Sequence, residues 1–143
     1  MTNHDAINAN GNGHLMMFEN NKKLIGKHVI LECAGAQAHL GIVKMKALIN
    51  EAAIKAGATP ITNKFHHFGE GMGVTGVLVL AESHITVHTW PENNYAAFDF
   101  FMCGVCDPEL AAQFVMDHDK DGEYSMISID RQRPMNIESK LIA

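Results

Sequence analysis

The sequence lacks the features that mark several broad classes of protein. Its net charge is −5, with 11 basic and 16 acidic residues and no cluster of lysine or arginine, so a nucleic-acid surface is disfavoured. No apolar run approaches the roughly 18 residues that a membrane-spanning helix requires. Residues 1–13 lack the apolar segment of a signal peptide. We therefore expect a cytoplasmic protein that binds neither membranes nor nucleic acids.

Cysteine is also scarce. The chain has three cysteines, Cys33, Cys103 and Cys106. Because the number is odd and no secretory signal accompanies them, they are read as reduced thiols rather than as a disulfide framework.

What is present favours one globular domain. The chain has 143 residues, of which 47% are apolar, enough to bury a core. Residues 1–22 are rich in asparagine, glycine and histidine without periodicity, which predicts a mobile tail. Residues 132–143 are polar and are read as a C-terminal tail. The predicted domain covers residues 23–131.

Hydrophobic periodicity predicts six strands and two helices in the order β-α-β-β, then β-β-α-β. The predicted strands are 28–33, 61–68, 74–81, 84–90, 95–102 and 124–130, and the predicted helices are 40–56 and 108–118. The first helix has an approximate apolar stripe of Leu40, Val43, Ala47, Leu48, Ala52 and Ile54. Short connections favour an α+β fold, a two-layer sandwich with an antiparallel sheet and two helices on one face. The other face, on which we expect Phe98 or Phe100, would need a partner subunit to cover it.

The chemistry of the chain is concentrated in residues 80–92. An apolar run ends in Glu82 and Ser83, and a second strand follows in strict alternation, with His84, Thr86, His88 and Trp90 on one face. Buried strands rarely carry so many titratable groups unless these groups have a function.

Other readings of the polar residues are weaker. His84 and His88 are four residues apart on one strand, so their Cα atoms are roughly 13 Å apart, too far for one metal ion. The acidic turn 117–122 lacks the glutamate that completes a calcium loop. Ser83 has no surrounding nucleophile elbow, which disfavours a serine hydrolase. The glycine-rich loop 69–73 is not a phosphate loop, and either close approach of a ligand or a flexible turn explains it.

The expected register of the hairpin between the fourth and fifth predicted strands brings a thiol close to Ser83. If Trp90 faces Tyr95 across the loop, Cys103 lies opposite Glu82 and beside Ser83. A hydroxyl and a thiol then meet at one end of a hairpin.

Several motifs resemble those of the prokaryotic S-adenosylmethionine decarboxylase proenzymes. The resemblance covers about residues 24–131 and is most specific from Glu82 to Cys103. The motifs are Gly26-Lys27-His28, Phe65-His66-His67-Phe68, Ala81-Glu82-Ser83-His84, His88-Thr89-Trp90-Pro91-Glu92, Tyr95-Ala96-Ala97-Phe98-Asp99 and Cys103-Gly104.

The resemblance implies a self-cleaving enzyme whose subunits pair through their sheets. It implies a cut between Glu82 and Ser83 that converts Ser83 into a pyruvoyl group, the only cofactor, which forms a Schiff base with the substrate. It further implies that His88 is the processing base, that Thr75 provides a processing hydroxyl, and that Cys103 is the proton donor. No metal is implied. The expected substrate-binding residues are Phe68, Glu70 and Glu92.

Two departures from the family pattern bear on these roles. The family usually has serine where Thr75 stands, and threonine keeps the hydroxyl. The loop after Phe68 is one residue longer than usual and carries Glu70. We expect S-adenosylmethionine as the substrate, for spermidine synthesis. The alternatives are ornithine or arginine, whose distal charge Glu70 could pair with, or an inactive regulatory homologue.

One distance conflicts with a site built from a single chain. Ser83 and His88 are five residues apart on a predicted strand, so about 16 Å separates their Cα atoms. His88 cannot reach the Ser83 α-proton over that distance. Either the strand is broken between them, or the His88 that serves a given Ser83 comes from a second subunit.

Overall fold

A seven-stranded antiparallel sheet carries two helices in the computed structural model, which describes residues 17–19 and 22–132. Residues 36–39 and 91–93 form short 3-10 turns. The elements are β1 (Met17–Glu19), β2 (Lys22–Ala34), α1 (Ile42–Lys55), β3 (Pro60–His67), β4 (Val74–Leu80), β5 (Ser83–Trp90), β6 (Tyr95–Cys103), α2 (Pro108–Met116) and β7 (Glu123–Gln132). The predicted α+β architecture is confirmed.

The hairpin of β5 and β6 lies in the middle of the sheet. The strand order is β1-β2-β6-β5-β4-β3, and β7 pairs with β2. Trp90 pairs with Tyr95 and Ser83 with Met102, so the predicted register is confirmed. Every side chain of β5 therefore has a fixed face and a fixed neighbour on β4 and β6.

Local sequence signals explain where the helices begin and end. The Asp107 side chain accepts a hydrogen bond from the backbone N–H of Glu109, and Pro108 occupies the first turn of α2. Gly57 follows α1 with φ of +81°, and the N–H of Ala58 donates to the carbonyl of Ala53 at 2.9 Å. This is the glycine-terminated helix end that satisfies otherwise unpaired carbonyls. Among the described residues, no helix is long and apolar enough to cross a membrane.

The predicted apolar stripe of the first helix is wrong in part. Val43 and Ile54 are 82% and 59% exposed. The buried side chains recur at spacings of three and four, as one face of a 3.6-residue helix requires. They are Met45, Leu48, Ile49, Ala52 and Ala53.

The expectation that Phe98 or Phe100 faces away from the helices is also wrong. Both rings are fully buried within the single chain, in the same core as Ile49 of α1 and Val115 of α2. Alternation along β6 places its half-exposed residues on the opposite, open face. They are Tyr95, Ala97, Asp99, Phe101 and Cys103.

The open face combines apolar and charged groups. His28 Nε2 lies 2.9 Å from Asp99 Oδ1, and the guanidinium of Arg131 lies over the Phe101 ring at 4.4 Å from its centroid. Val79 and Trp90 are also exposed there. A partner subunit would therefore meet this mixed surface rather than the two phenylalanines named by the sequence argument.

Part of the predicted N-terminal tail is a strand. Met17–Glu19 pairs with residues 22–24 of β2, which also begins six residues earlier than predicted. Gln132, the first residue of the predicted C-terminal tail, is the last residue of β7. The other residues of the predicted tails lie outside the described residues.

We predict that Phe98→Ala destabilises the folded chain by about 3–5 kcal/mol, because it leaves a cavity in a sealed core. Urea denaturation measures the change. Phe101→Ala, on the open face, is the matched control and should cost less. If the loss of stability disappears at low protein concentration, Phe98 lies at a subunit interface and not in the core of the single chain.

Candidate active site

The turn between β4 and β5 holds Ser83 in a strained conformation. Leu80 pairs with Ser83, so Ala81 and Glu82 form a two-residue connection. Ser83 has φ of +142°, a region that residues with a side chain rarely occupy and that costs of order 1–3 kcal/mol. The strain lies at the peptide bond that the sequence argument marks for cleavage.

Two hydrogen bonds fix Glu82 on the other side of that peptide bond, and a third fixes its neighbour Ala81. The Glu82 carbonyl accepts from the backbone N–H of Cys103 at 3.0 Å, and its carboxylate accepts from the backbone N–H of Thr59 at 2.6 Å. The N–H of Ala81 donates to the Thr59 carbonyl at 2.9 Å. The carbonyl carbon of Glu82 is therefore held in place, and a donor is already directed at its oxygen.

The Cys103 thiol lies at the same turn, next to Ser83. Burial raises the pKa of the Cys103 thiol, and the nearby Glu82 carboxylate raises it further. Hydrogen bonds from its own backbone N–H and from the Ser83 side chain oppose this increase. The thiol therefore keeps its proton at neutral pH, which is the state that a proton donor needs. We call Glu82, Ser83 and Cys103 the Ser83 cluster.

A second group of side chains lies at the opposite end of β5. Thr75 and His88 are direct neighbours across β4 and β5, and Thr75 Oγ1 lies 3.0 Å from His88 Nδ1. This contact orients the imidazole and leaves its other nitrogen available. The Trp90 ring lies 6.1 Å from the His88 ring and stacks on Tyr95.

These side chains open onto a cavity of about 250 Å³. Phe68 and Trp90 are 56% and 39% exposed there. Large apolar side chains left in contact with water around a cavity are typical of ligand sites. The cavity is lined by Phe68, Met72, Gly73, Thr75, His88, Thr89, Trp90 and Glu92. We call Phe68, Thr75, His88, Trp90 and Glu92 the His88 cluster.

The glycine loop is shaped by its approach to β5. A side chain at Gly73 would begin only 1.8 Å from the carbonyl oxygen of Thr89, so only glycine lets the loop pass there. Gly69 and Gly71 have φ of +124° and +73°. Of the two readings left open by the sequence, close backbone approach applies at Gly73, although to β5 rather than to a ligand.

The two clusters are separate within one chain. β5 is unbroken from Ser83 to Trp90 and pairs continuously with β4 and β6, so the strand break considered above is excluded. The Cα atoms of Ser83 and His88 are then about 16 Å apart. Thr75 is also distant from the Glu82 carbonyl, because it pairs with His88.

The cavity lining differs in part from the substrate-binding residues expected from the sequence. Glu70 is exposed and does not line the cavity, whereas Trp90 and Met72 do. The sequence did indicate that Trp90 lies near His88, because both occupy the same face of the alternating strand. The backbone N–H groups of Thr59 and Cys103 both donate to Glu82. The sequence did not indicate this role, because backbone donors are common to nearly all residues. In the described part of the chain, no group of three or more His, Cys, Asp or Glu could hold a metal ion.

Comparison with known proteins adds independent evidence. Residues 27–132 match the model of the family described as S-adenosylmethionine decarboxylase. A proenzyme of that name from Methanococcus aeolicus is 42% identical over 112 residues, which cover 76% of this chain and 95% of the relative. The proenzyme from Thermodesulfovibrio yellowstonii is 41% identical over 96 residues, 65% of this chain and 70% of the relative.

A solved structure also matches. The crystal structure of the adenosylmethionine decarboxylase from Aquifex aeolicus aligns with a TM-score of 0.61 at 30% identity. The alignment covers 73% of this chain and 89% of that one.

Proposed function

The chain belongs to the S-adenosylmethionine decarboxylase family, and we propose that it cleaves itself to make a pyruvoyl group and then decarboxylates S-adenosylmethionine. The observation that carries the proposal is the Ser83 cluster. A strained serine follows a carbonyl that is held by a backbone donor, and a protonated thiol lies beside both. These are the groups that backbone cleavage and later proton donation require.

The processing steps follow from this geometry. Ser83 Oγ attacks the Glu82 carbonyl carbon, the Cys103 N–H stabilises the negative oxygen, and the C–N bond breaks to leave an ester. A base removes the Ser83 α-proton, and the Glu82 carboxylate leaves. This elimination leaves dehydroalanine at position 83. Water hydrolyses it, the nitrogen leaves as ammonia, and the chain that begins at residue 83 carries a pyruvoyl group. The strain at Ser83 is relieved by cleavage, which favours the forward direction.

We propose that the base is His88 of a second subunit. Within one chain the unbroken β5 keeps His88 too far from Ser83. Two chains paired through their open faces by a two-fold axis perpendicular to β5 would run their β5 strands in opposite directions. The Ser83 cluster of one chain would then meet the His88 cluster of the other, twice per dimer. Thr75 would arrive together with His88, because the two side chains are in contact.

For decarboxylation, the pyruvoyl group would supply a carbonyl that binds the substrate amine and withdraws electrons as carbon dioxide leaves. This chain's own contribution is the proton. Cys103 is half-buried and its pKa is raised, so its thiol can protonate the α-carbon that has lost its carboxylate. Loss of the Ser83 hydroxyl on processing also removes one hydrogen bond that lowers this pKa.

The cavity favours an adenosyl substrate over a basic amino acid. The exposed faces of Phe68 and Trp90 suit a planar base, because such rings gain from stacking. Glu92 lines the same cavity and can accept hydrogen bonds from hydroxyl groups or face a sulfonium charge. Glu70, the residue that would favour ornithine or arginine, does not line it. The product would donate aminopropyl groups for spermidine synthesis.

We predict that the purified protein consists of two chains, 1–82 and 83–143, the second blocked at its N-terminus. Intact-mass analysis detects both. Carbon dioxide release, measured with S-adenosylmethionine, ornithine, arginine and lysine, should occur with S-adenosylmethionine. Turnover of a basic amino acid alone would refute the substrate, and a folded chain that remains uncut would refute the enzyme in favour of the inactive homologue.

We predict that processing occurs between subunits. Ser83→Ala and His88→Ala chains should each remain uncut when expressed alone. When they are co-expressed, the Ser83 of the second chain can meet the intact His88 of the first, so half of the sites in mixed dimers should be cut. Differently tagged chains and tandem purification isolate these dimers. If isolated mixed dimers stay uncut, His88 does not act across the interface.

We predict that Cys103→Ala lowers kcat for decarboxylation by at least about 100-fold, since a positioned acid contributes that much or more. The wild-type enzyme should lose kcat as pH rises through the Cys103 pKa, because the thiolate cannot donate. Since that pKa is raised, the loss should begin above the range of an ordinary thiol. Cys33→Ala is the control. A Cys103→Ala variant with normal kcat would exclude Cys103 as the donor.

A further inference from the structure

Cys103 and Cys106 form a Cys-x-x-Cys motif at the end of β6. Gly104 and Val105 make a turn between them, and Gly104 adopts φ of +69°. The first and last Cα atoms of such a four-residue turn lie within about 7 Å of each other. Disulfides typically join Cα atoms roughly 4.4–6.8 Å apart, so this turn holds two thiols near bonding distance.

Both thiols share one environment. Burial raises the pKa of Cys106 to about 11, and the charges of Glu82 and of Cys103 itself raise it further. Glu82 also raises the pKa of Cys103. Each thiol therefore feels the charge of the same carboxylate, and Cys106 also feels that of Cys103. The Cys106 thiol donates to the carbonyl of Gly57 at 3.4 Å, a contact that a side-chain rotation would release.

A small molecule can reach this turn. A cavity of about 150 Å³ is bordered by Gly26, Met102, Gly104, Val105 and Cys106, and both cysteines are half-buried rather than sealed. Cys33 differs, because it is buried in the core and donates to Gln37 at 3.3 Å. Cys106 thus borders an open cavity, Cys103 is half-buried at the other end of the turn, and Cys33 is sealed in the core.

We propose that Cys103 and Cys106 are a redox modification site, at which a peroxide converts the two thiols into a reversible disulfide and removes the proton donor. The proposal that a disulfide forms depends on the geometry of the turn and not on the proposed function. Its effect on catalysis rests on the proposed function, because Cys103 must hold a proton for decarboxylation.

The chemistry balances with one equivalent of hydrogen peroxide. The Cys103 thiolate attacks a peroxide oxygen and becomes a sulfenic acid as hydroxide leaves and takes up a proton. The Cys106 sulfur then attacks the Cys103 sulfur, and the sulfenic oxygen leaves as water. Two thiols are oxidised, peroxide is reduced to two waters, and a dithiol reverses the bond by exchange. Burial raises the pKa of both thiols, so the thiolate that starts the reaction is a minor species. Cys103 is taken as the first nucleophile because a hydrogen bond from its own backbone N–H opposes the increase.

The test treats reduced, full-length protein with hydrogen peroxide, blocks remaining thiols with iodoacetamide and maps the peptides without reduction. We expect a Cys103–Cys106 disulfide, with Cys33 alkylated only after unfolding. Decarboxylation should fall at least tenfold as this peptide forms and should recover with dithiothreitol. Cys106→Ser is the matched variant. Before treatment it should decarboxylate as the wild type does. After treatment it should contain no intramolecular disulfide, and under sustained peroxide it should accumulate sulfinic acid at Cys103, which dithiothreitol does not reduce.

The outcomes separate the two proposals. If the disulfide forms in a protein that never decarboxylates, the redox site stands and the proposed function fails. If decarboxylation is normal but peroxide yields only sulfinic acid at Cys103 or disulfides between chains, the redox site is refuted and the function stands. A disulfide that leaves decarboxylation unchanged would refute the switch.

Discussion

The backbone hydrogen bond from the Cys103 N–H to the Glu82 carbonyl is the interaction on which the site depends. It closes the open end of the β5–β6 hairpin and so couples the end of β6 to the turn before β5. The same bond directs a donor at the atom that becomes negative when Ser83 attacks. It also brings the Cys103 thiol beside Ser83, the proposed precursor of the pyruvoyl group. The position of the proposed proton donor therefore follows from strand pairing and needs no dedicated loop.

Strand geometry also limits what one chain can do alone. A β-strand advances about 3.3 Å per residue, so Ser83 and His88 cannot meet while β5 stays paired on both sides. Breaking the strand would cost ladder hydrogen bonds and the burial of Ile85 and Val87. The proposed pairing of two chains would leave each sheet intact and let the Ser83 cluster of one chain meet the His88 cluster of the other. Because the open face is mixed, with the His28–Asp99 pair among its groups, such pairing requires matched polar contacts as well as apolar burial.

The sequence predicted the parts of the fold that depend on the alternation of apolar and polar residues and on short turns between strands. The strands β4 to β6, the register from Trp90 and Tyr95, and the proximity of Cys103 to Ser83 were confirmed, because a four-residue loop and a period of two leave few alternatives. The faces of Phe98 and of the first helix were predicted wrongly. Several successive apolar residues make either face of β6 plausible, and only packing against α1 and α2 decides between them. The sequence could not indicate that Glu70 lies outside the cavity lining, because loop positions have no period.

The raised pKa of Cys103 favours one proposed role of the thiol and opposes the other. A proton donor must remain a thiol at neutral pH, and burial provides this. The reaction with peroxide requires the thiolate, which the same burial makes rare. A buried acid is therefore protected from brief exposure to oxidant and reacts only when the exposure is sustained. Cys106 then determines the product, because a neighbouring thiol traps the sulfenic acid before it is oxidised irreversibly. On this proposal, a thiol three residues away would make oxidation of Cys103 recoverable without altering Cys103 itself.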